Sequence, residues 1–186
     1  GGQLVNFLNL LFFIISNKKI GSIDLNLGIP HNSKFNEIPL ISSINNINDK
    51  IHIFENYLIY LDEGKYLYTF DILLNDFILF KHDINQSSSN IFFNNSLILK
   101  EGNYLQAINV INGNTFWLID ENVDKKSTIK GILNTNDTIN VFLNNGDILN
   151  INNNELIKIN NIGVSNINKI SFQNESILLN TVNGNT

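Results

Sequence analysis

Residues 95–120 read NSLILKEGNYLQAINVINGNTFWLID, and the fold turns on this stretch. Leu97 to Leu99 is a short apolar run that enters a turn at Glu101 and Gly102, and Tyr104 to Ile111 returns. Runs this short, bounded by turn residues, read as strands. A glycine between two of them can supply the positive backbone dihedral of a tight hairpin. Further on, Asn109 stands four residues before Gly113 and eight before Trp117. Asn109 can hold a turn through side-chain to backbone hydrogen bonds, as an aspartate would, and Gly113 allows that turn to be tight. Trp117 is suited to covering apolar area between adjacent sheets.

The same arrangement recurs outward in both directions. Tyr57 to Leu61 enters a turn at Asp62, Glu63 and Gly64, and Tyr66 to Ile72 returns. Leu10 to Ile15, Asn17 and Lys18, then Ile20 to Leu25 form an earlier copy. Ile139 to Leu143, the turn Asn144, Asn145 and Gly146, then Ile148 to Ile151 form a later one, and Ile177 to Leu179 begins a fifth before Asn183 and Gly184. The polar strand end also repeats, at Asp24 (with Gly28 four residues on) and at Asp71. Lys18, Gly64, Gly102, Gly146 and Gly184 lie 46, 38, 44 and 38 residues apart.

A repeat of about forty residues suits one four-stranded sheet per copy, because a lone hairpin would leave an apolar face in water. The expected fold is all-β: a partial β-propeller with four-stranded antiparallel blades. Its hairpins fall near 10–26, 56–80, 95–120 and 137–159, with a truncated fifth at 175–186, so that 1–186 forms a single incomplete domain. Ile51–Phe54, Asn90–Phe93, Ser127–Leu133 and Ile167–Phe172 are the expected inner strands. A closed ring at this period needs about 240–340 residues, so the chain reads as half to two-thirds of one. A small β-sandwich is the competing architecture, but it does not require turn markers to stay in phase.

Composition sets the remaining bounds. Asparagine makes up roughly one residue in five, concentrated where turns are expected, while 43% of residues are hydrophobic, a globular level. The net charge of −5 provides no broad footprint for nucleic acid, and Lys125, Lys126 and Lys130 read as a solvated loop. The apolar stretch Phe7–Ile15 is too short to span a bilayer and lacks the flanks of an export signal, so no transmembrane segment is expected. Without an initial methionine the chain reads as an interior piece of something longer.

Chemistry-bearing patterns are sparse. With no cysteine there is neither disulfide nor thiolate chemistry. His31, His52 and His82 are isolated from one another, and Asp120, Glu121 and Asp124 lack the spacing of a calcium loop. Asp62 and Glu63 read as a solvated hairpin tip, and no phosphate-binding glycine motif or nucleophile motif is present. No catalytic, cofactor-binding or metal residue is therefore assigned, and no cofactor is expected. The structural repeat set comprises Gly64, Asp71, Gly102, Ala107, Asn109, Gly113, Trp117 and Gly146. Tyr57 and Tyr68 are the candidate partner-binding contacts at a rim.

The segment Gly102 to Trp117 resembles the repeats named for pyrroloquinoline-quinone enzymes, which carry a glycine turn, an Ala-apolar-Asp strand end, a second glycine and a tryptophan. Here Ala107, Ile108 and Asn109 fill the strand end, with Asn109 in the aspartate position. Gly146 to Asn152 carries the first half of the pattern, and Gly64 to Asp71 carries it with one extra residue. Asn75 and Leu79 stand where the glycine and tryptophan would be, and the fourth copy has neither. Within that class the chain is most similar, from Asn56 to Gly146, to the propeller lipoproteins of the bacterial outer-membrane β-barrel assembly machinery. That resemblance implies a non-enzymatic periplasmic scaffold, tethered at the outer membrane, that binds the barrel-forming component of the machinery. Two alternatives stand beside it: a fragment of a quinone-dependent dehydrogenase, and a eukaryotic lumenal sensor propeller built from the same kind of repeat. Quinone-binding members of the class need a stacking tryptophan and a metal-binding acid and amide set, whereas Trp117 is already accounted for by the repeat.

Overall fold

Asparagine, glycine and aspartate interrupt the apolar runs every five to eight residues, too often for a helix and at the right interval for strands. The computed structural model describes residues 4–16, 19–31, 47–62, 66–84, 89–120, 123–135, 137–173 and 176–182. Among them are eighteen strands and no helix. The first sheet consists of β1 (Leu4–Phe7), β2 (Leu10–Ser16), β3 (Lys19–Asp24) and β4 (Ile29–Pro30). The second consists of β5 (Ile47–Phe54), β6 (Tyr57–Asp62), β7 (Tyr66–Asp71) and β8 (Asp76–Asp83). The third holds β9 (Ser89–Phe93), β10 (Ser96–Glu101), β11 (Tyr104–Asn109) and β12 (Thr115–Ile119). The fourth holds β13 (Ile129–Thr135), β14 (Thr138–Leu143), β15 (Asp147–Asn152) and β16 (Glu155–Asn161), and β17 (Ile167–Gln173) pairs with β18 (Ser176–Thr181).

Each sheet is a meander in which consecutive strands are neighbours and pair antiparallel. Two compact units are distinguished: Gly1–Gln86 with Asn109–Asn114, and Ser87–Ile108 with Thr115–Thr186. Inside the first unit β1 lies against β5, and inside the second β9 lies against β13 and β13 against β17. Within each unit, the leading strand of one sheet therefore meets the leading strand of the next.

Burial follows from this stacking. Leu58, Ile59, Tyr60 and Leu61 on β6, and Leu67 to Asp71 on β7, are all buried, without the in-and-out alternation of a half-exposed sheet. Both faces of these strands are covered. One face contributes to a cluster of Phe12, Ile20, Ile51, Leu58, Tyr60, Tyr68 and Phe70, drawn from the first and second sheets. In the second unit Ile98, Leu105, Ala107, Trp117 and Ile119 of the third sheet pack with Ile132, Val141, Leu143, Leu149 and Ile151 of the fourth. Phe142 on the opposite face joins Ile167 and Ile170 of β17. At about 25 cal/mol per Å² of apolar area, this layering between sheets is the main stabilising term.

Asparagine has two structural uses here. Of the seven described non-glycine residues at positive φ, Asn75, Asn94, Asn153, Asn154 and Asn166 make up five, because asparagine tolerates the left-handed region better than bulkier residues. The second use is a ladder across the fourth sheet. The Asn160 side-chain amide donates to Asn150 Oδ1 at 2.6 Å, the Asn150 amide donates to Asn140 Oδ1, and the Asn140 amide donates to Thr135 Oγ1 at 2.7 Å. The ladder satisfies Asn140, which is buried.

Gly146 is the most constrained turn residue. Its φ is +91°, and a Cβ placed there would run into the backbone oxygen of Val164. Gly102 has φ +54° with open space around the same position. Gly146→Ala is expected to lower stability by about 2–4 kcal/mol, through backbone strain and a steric clash together, whereas Gly102→Ala should cost only about 1 kcal/mol from strain alone. Urea denaturation midpoints of the two variants check this ranking, and equal losses would contradict it.

Candidate functional site

At the strand ends the turns are built by side-chain carboxylates and amides acting on backbone N–H groups. Asp24 Oδ1 accepts from the N–H groups of Asn26 (2.8 Å) and Leu27 (3.1 Å), and Asp71 Oδ1 accepts from those of Leu73 (2.9 Å) and Leu74 (3.0 Å). Asn109 Oδ1 accepts from the Ile111 N–H at 2.8 Å. In these Asx turns the side chain takes up donors that the turn leaves without a strand partner. Gly28 and Gly113 close two of the turns at φ +67° and +76°, donating back to the carbonyls of Asp24 and Asn109. In the second sheet Asn75, at φ +54°, takes the same place, which explains why that copy needs no glycine. The fourth sheet dispenses with the long turn, since Asn153 and Asn154 at φ +50° and +68° join β15 directly to β16.

Neighbouring turns of one sheet are tied together. Leu25 donates its N–H to the Asn9 carbonyl at 2.7 Å, and the Asn9 amide donates to Asp24 Oδ2 at 3.0 Å. The Ile72 N–H likewise donates to the Asn56 carbonyl at 2.9 Å. This brings the β1–β2 turn beside the β3–β4 turn, and the β5–β6 turn beside the β7–β8 turn. On these turns of the first unit, Leu8, Leu25, Leu27, Leu73 and Leu74 are between 52% and 75% exposed. Sequence reading missed them, although leucine inside an Asx turn, where polar residues are usual, was the available signal.

The residues singled out from sequence fall into distinct settings. Ala107 and Trp117 are buried in the cluster between the third and fourth sheets, and Asp71 is buried beneath its turn. Gly102 and Gly146 occupy the β10–β11 and β14–β15 turns at positive φ, and Gly64 lies outside the described residues. Tyr57 is half-buried at the start of β6. Tyr68 is corrected: it is no rim contact but is fully buried, stacked on Tyr60 with ring centroids 5.0 Å apart. Because both faces of β7 are covered, no residue in the middle of that strand can reach a partner.

One buried cation also escaped sequence reading. Lys100 on β10 has no exposed surface, and its Nζ donates to the Gly102 carbonyl at 2.6 Å. Burial holds its pKa below the ordinary 10.5, partly opposed by the charge of Asp124. Asp124 also accepts from the Lys126 N–H and, at 3.4 Å, from the Asn145 amide, which donates to Asp147 Oδ2 at 2.7 Å as well. The Asn161 amide completes this network on Asp147 Oδ1 at 2.7 Å. These carboxylates serve turn amides, and among the described residues no three His, Asp or Glu side chains gather as a metal site would require.

Comparison with known proteins bears on the fold. No family model matches the chain, and no curated protein matches its sequence. Its structure is similar to the crystal structure of BamB from Moraxella catarrhalis, with a TM-score of 0.67 at 13% identity over 98% of this chain and 56% of that one. It is also similar to BBS1N solved in complex with ARL6DN, with a TM-score of 0.64 at 10% identity over 98% of this chain and 62% of that one. The computationally designed Ika8 protein aligns with a TM-score of 0.56 at 10% identity, covering 97% of this chain and 68% of that one. The chain thus spans little more than half the length of BamB and under two-thirds of BBS1N. Together with the four-stranded antiparallel sheets, these likenesses define the fold as all-β and part of a β-propeller. No described helix is long and apolar enough to cross a membrane.

Lys100 generates a pH prediction. Between its lowered folded value and 10.5, the unfolded chain holds a proton that the folded chain has released, so stability rises with pH across that window. Lys100→Met removes this contribution. The stability difference between variant and parent, measured by denaturant titration from neutral pH to 10.5, should move steadily in favour of the parent as pH rises. A difference independent of pH would show that the buried amine carries no such penalty.

Proposed function

We propose that this chain is part of a non-enzymatic propeller scaffold that binds another envelope protein in outer-membrane β-barrel assembly. The observation that carries this reading is the likeness to BamB over 98% of the chain. The repeat pattern from Asn56 to Gly146 supports it from sequence: a pyrroloquinoline-quinone-type repeat with the turn residues Asp71, Asn109 and Gly113 in place. A propeller suits such work because its stacked sheets make a rigid frame on which turns and loops are held for contact. The reading carries the location implied by the resemblance, the periplasmic face of the outer membrane, and a barrel-forming component as partner. It also treats residues 1–186 as several blades of one incomplete propeller.

A broader version draws on BBS1N, another similar propeller, which was solved bound to a protein, ARL6DN. On that version the chain is a protein-recognition propeller whatever its compartment, and a lumenal sensor is one form of it.

Affinity isolation from envelope extracts, with the folded full chain immobilised, is expected to recover a component of the barrel-assembly machinery. Recovery of none rejects the assembly role. A tightly bound quinone together with dye-coupled alcohol or sugar oxidation would instead establish the dehydrogenase alternative.

A further inference from the structure

In the second unit the described turns that join β9 to β10 and β15 to β16 are polar, built on Asn94, Asn95, Asn153 and Asn154. The turns of the first unit break this pattern. Leu8 and Leu25, Leu27, Leu73 and Leu74 stand out from the β1–β2, β3–β4 and β7–β8 turns, each more than half exposed. In a propeller, equivalent turns of successive blades fall on the same rim, so these leucines share one edge of the unit.

Leu8 is the most informative of them. It sits at φ +51°, in the turn position that Glu55 holds at +52° in the second sheet and Asn94 at +51° in the third. The left-handed region disfavours leucine, and water disfavours its 75% exposed side chain. In a chain where asparagine fills such positions repeatedly, an exposed leucine here is unfavourable in both respects and contributes nothing to the core. Several exposed leucines gathered on one edge mark a contact surface.

The charges around them narrow the partner. Asp24, Glu55 and Asp76 lie at the β3–β4, β5–β6 and β7–β8 turns, and residues 7–10, 24–29, 54–57 and 71–76 contain no lysine or arginine. We infer that this rim docks a protein segment that presents apolar side chains flanked by lysine or arginine, such as a basic amphipathic helix. An anionic membrane surface would be repelled by the same three carboxylates. The inference rests on the scaffold reading and adds to it the contacting surface and the partner's chemistry.

The probe is a short amphipathic peptide of leucine and lysine, followed by fluorescence anisotropy against the full chain. Binding is expected, weakening as salt is raised, and a counterpart with glutamate in place of lysine should bind about tenfold more weakly or less. Combined Leu8→Asn, Leu73→Ser and Leu74→Ser should weaken the lysine peptide about tenfold, while Ile157→Ser, at a 64% exposed site on β16, leaves it unchanged. Leu8→Asn alone places a residue suited to positive φ, so folding is not challenged, and it should still weaken binding about threefold. Equal binding by parent and variants overturns the inference, as does leucine-dependent binding to phosphatidylcholine–phosphatidylglycerol vesicles in place of the peptide. If the triple variant recovers the same envelope partner as the parent, the rim is wrong and the scaffold reading stands. If the parent recovers none, the scaffold reading itself fails.

Discussion

The whole arrangement depends on sheets that are apolar on both faces. Tyr60 and Tyr68 stack on one side of the second sheet, while Ile59 and Thr69, pointing the other way, are equally buried. A sheet of this kind cannot persist alone in water, and it cannot be completed by one partner as in a sandwich, where each sheet keeps a wet outer face. It must be stacked on both sides. The shared clusters between first and second, third and fourth, and fourth and fifth sheets are what that requirement looks like within the two units. The repeat in the sequence is the one-dimensional record of the same constraint, since every copy must supply two apolar faces.

The polar residues follow from the stacking. Strands covered on both faces must reverse direction at their ends, and there the backbone donors have no strand partner. Asp24, Asp71 and Asn109 supply acceptors, while Gly28, Asn75 and Gly113 supply the left-handed residue that closes each turn. The asparagine bias thus has physical content: the residue closes turns and, in the Asn140, Asn150 and Asn160 ladder, runs amide hydrogen bonds across a sheet. Lys100 is the exception, a cation kept inside the second unit, held by the Gly102 carbonyl and attracted by Asp124.

Such a frame leaves the turns to display the side chains that the stack does not use. Turn geometry needs only the carboxylate or amide and the positive-φ residue, so the positions between them are free to vary without cost to the stack. Leu25 and Leu27 fall between Asp24 and Gly28, and Leu73 and Leu74 between Asp71 and Asn75. The frame residues and the exposed leucines proposed as a contact surface are therefore interleaved in the same short segments.

That interleaving separates what could be read from sequence and what could not. Strand-length apolar runs, their turns and the phase of the repeat were legible around Gly102, Asn109, Gly113 and Gly146, because backbone conformational preferences and local hydrogen bonding act over a few residues. The all-β, four-stranded design follows from them. Burial was not legible: Tyr68 reads as well for a rim as for a core, since a strand covered on both faces loses the alternation that tells inside from outside. The leucine tips and the buried Lys100 were hidden for the same reason, as solvent exposure depends on which other sheets arrive from distant parts of the chain. Sequence by itself determined the repeating unit and its turns, through local sterics and polarity. Only the tertiary structure decided which side chains the stacking buries and which it leaves at the rim.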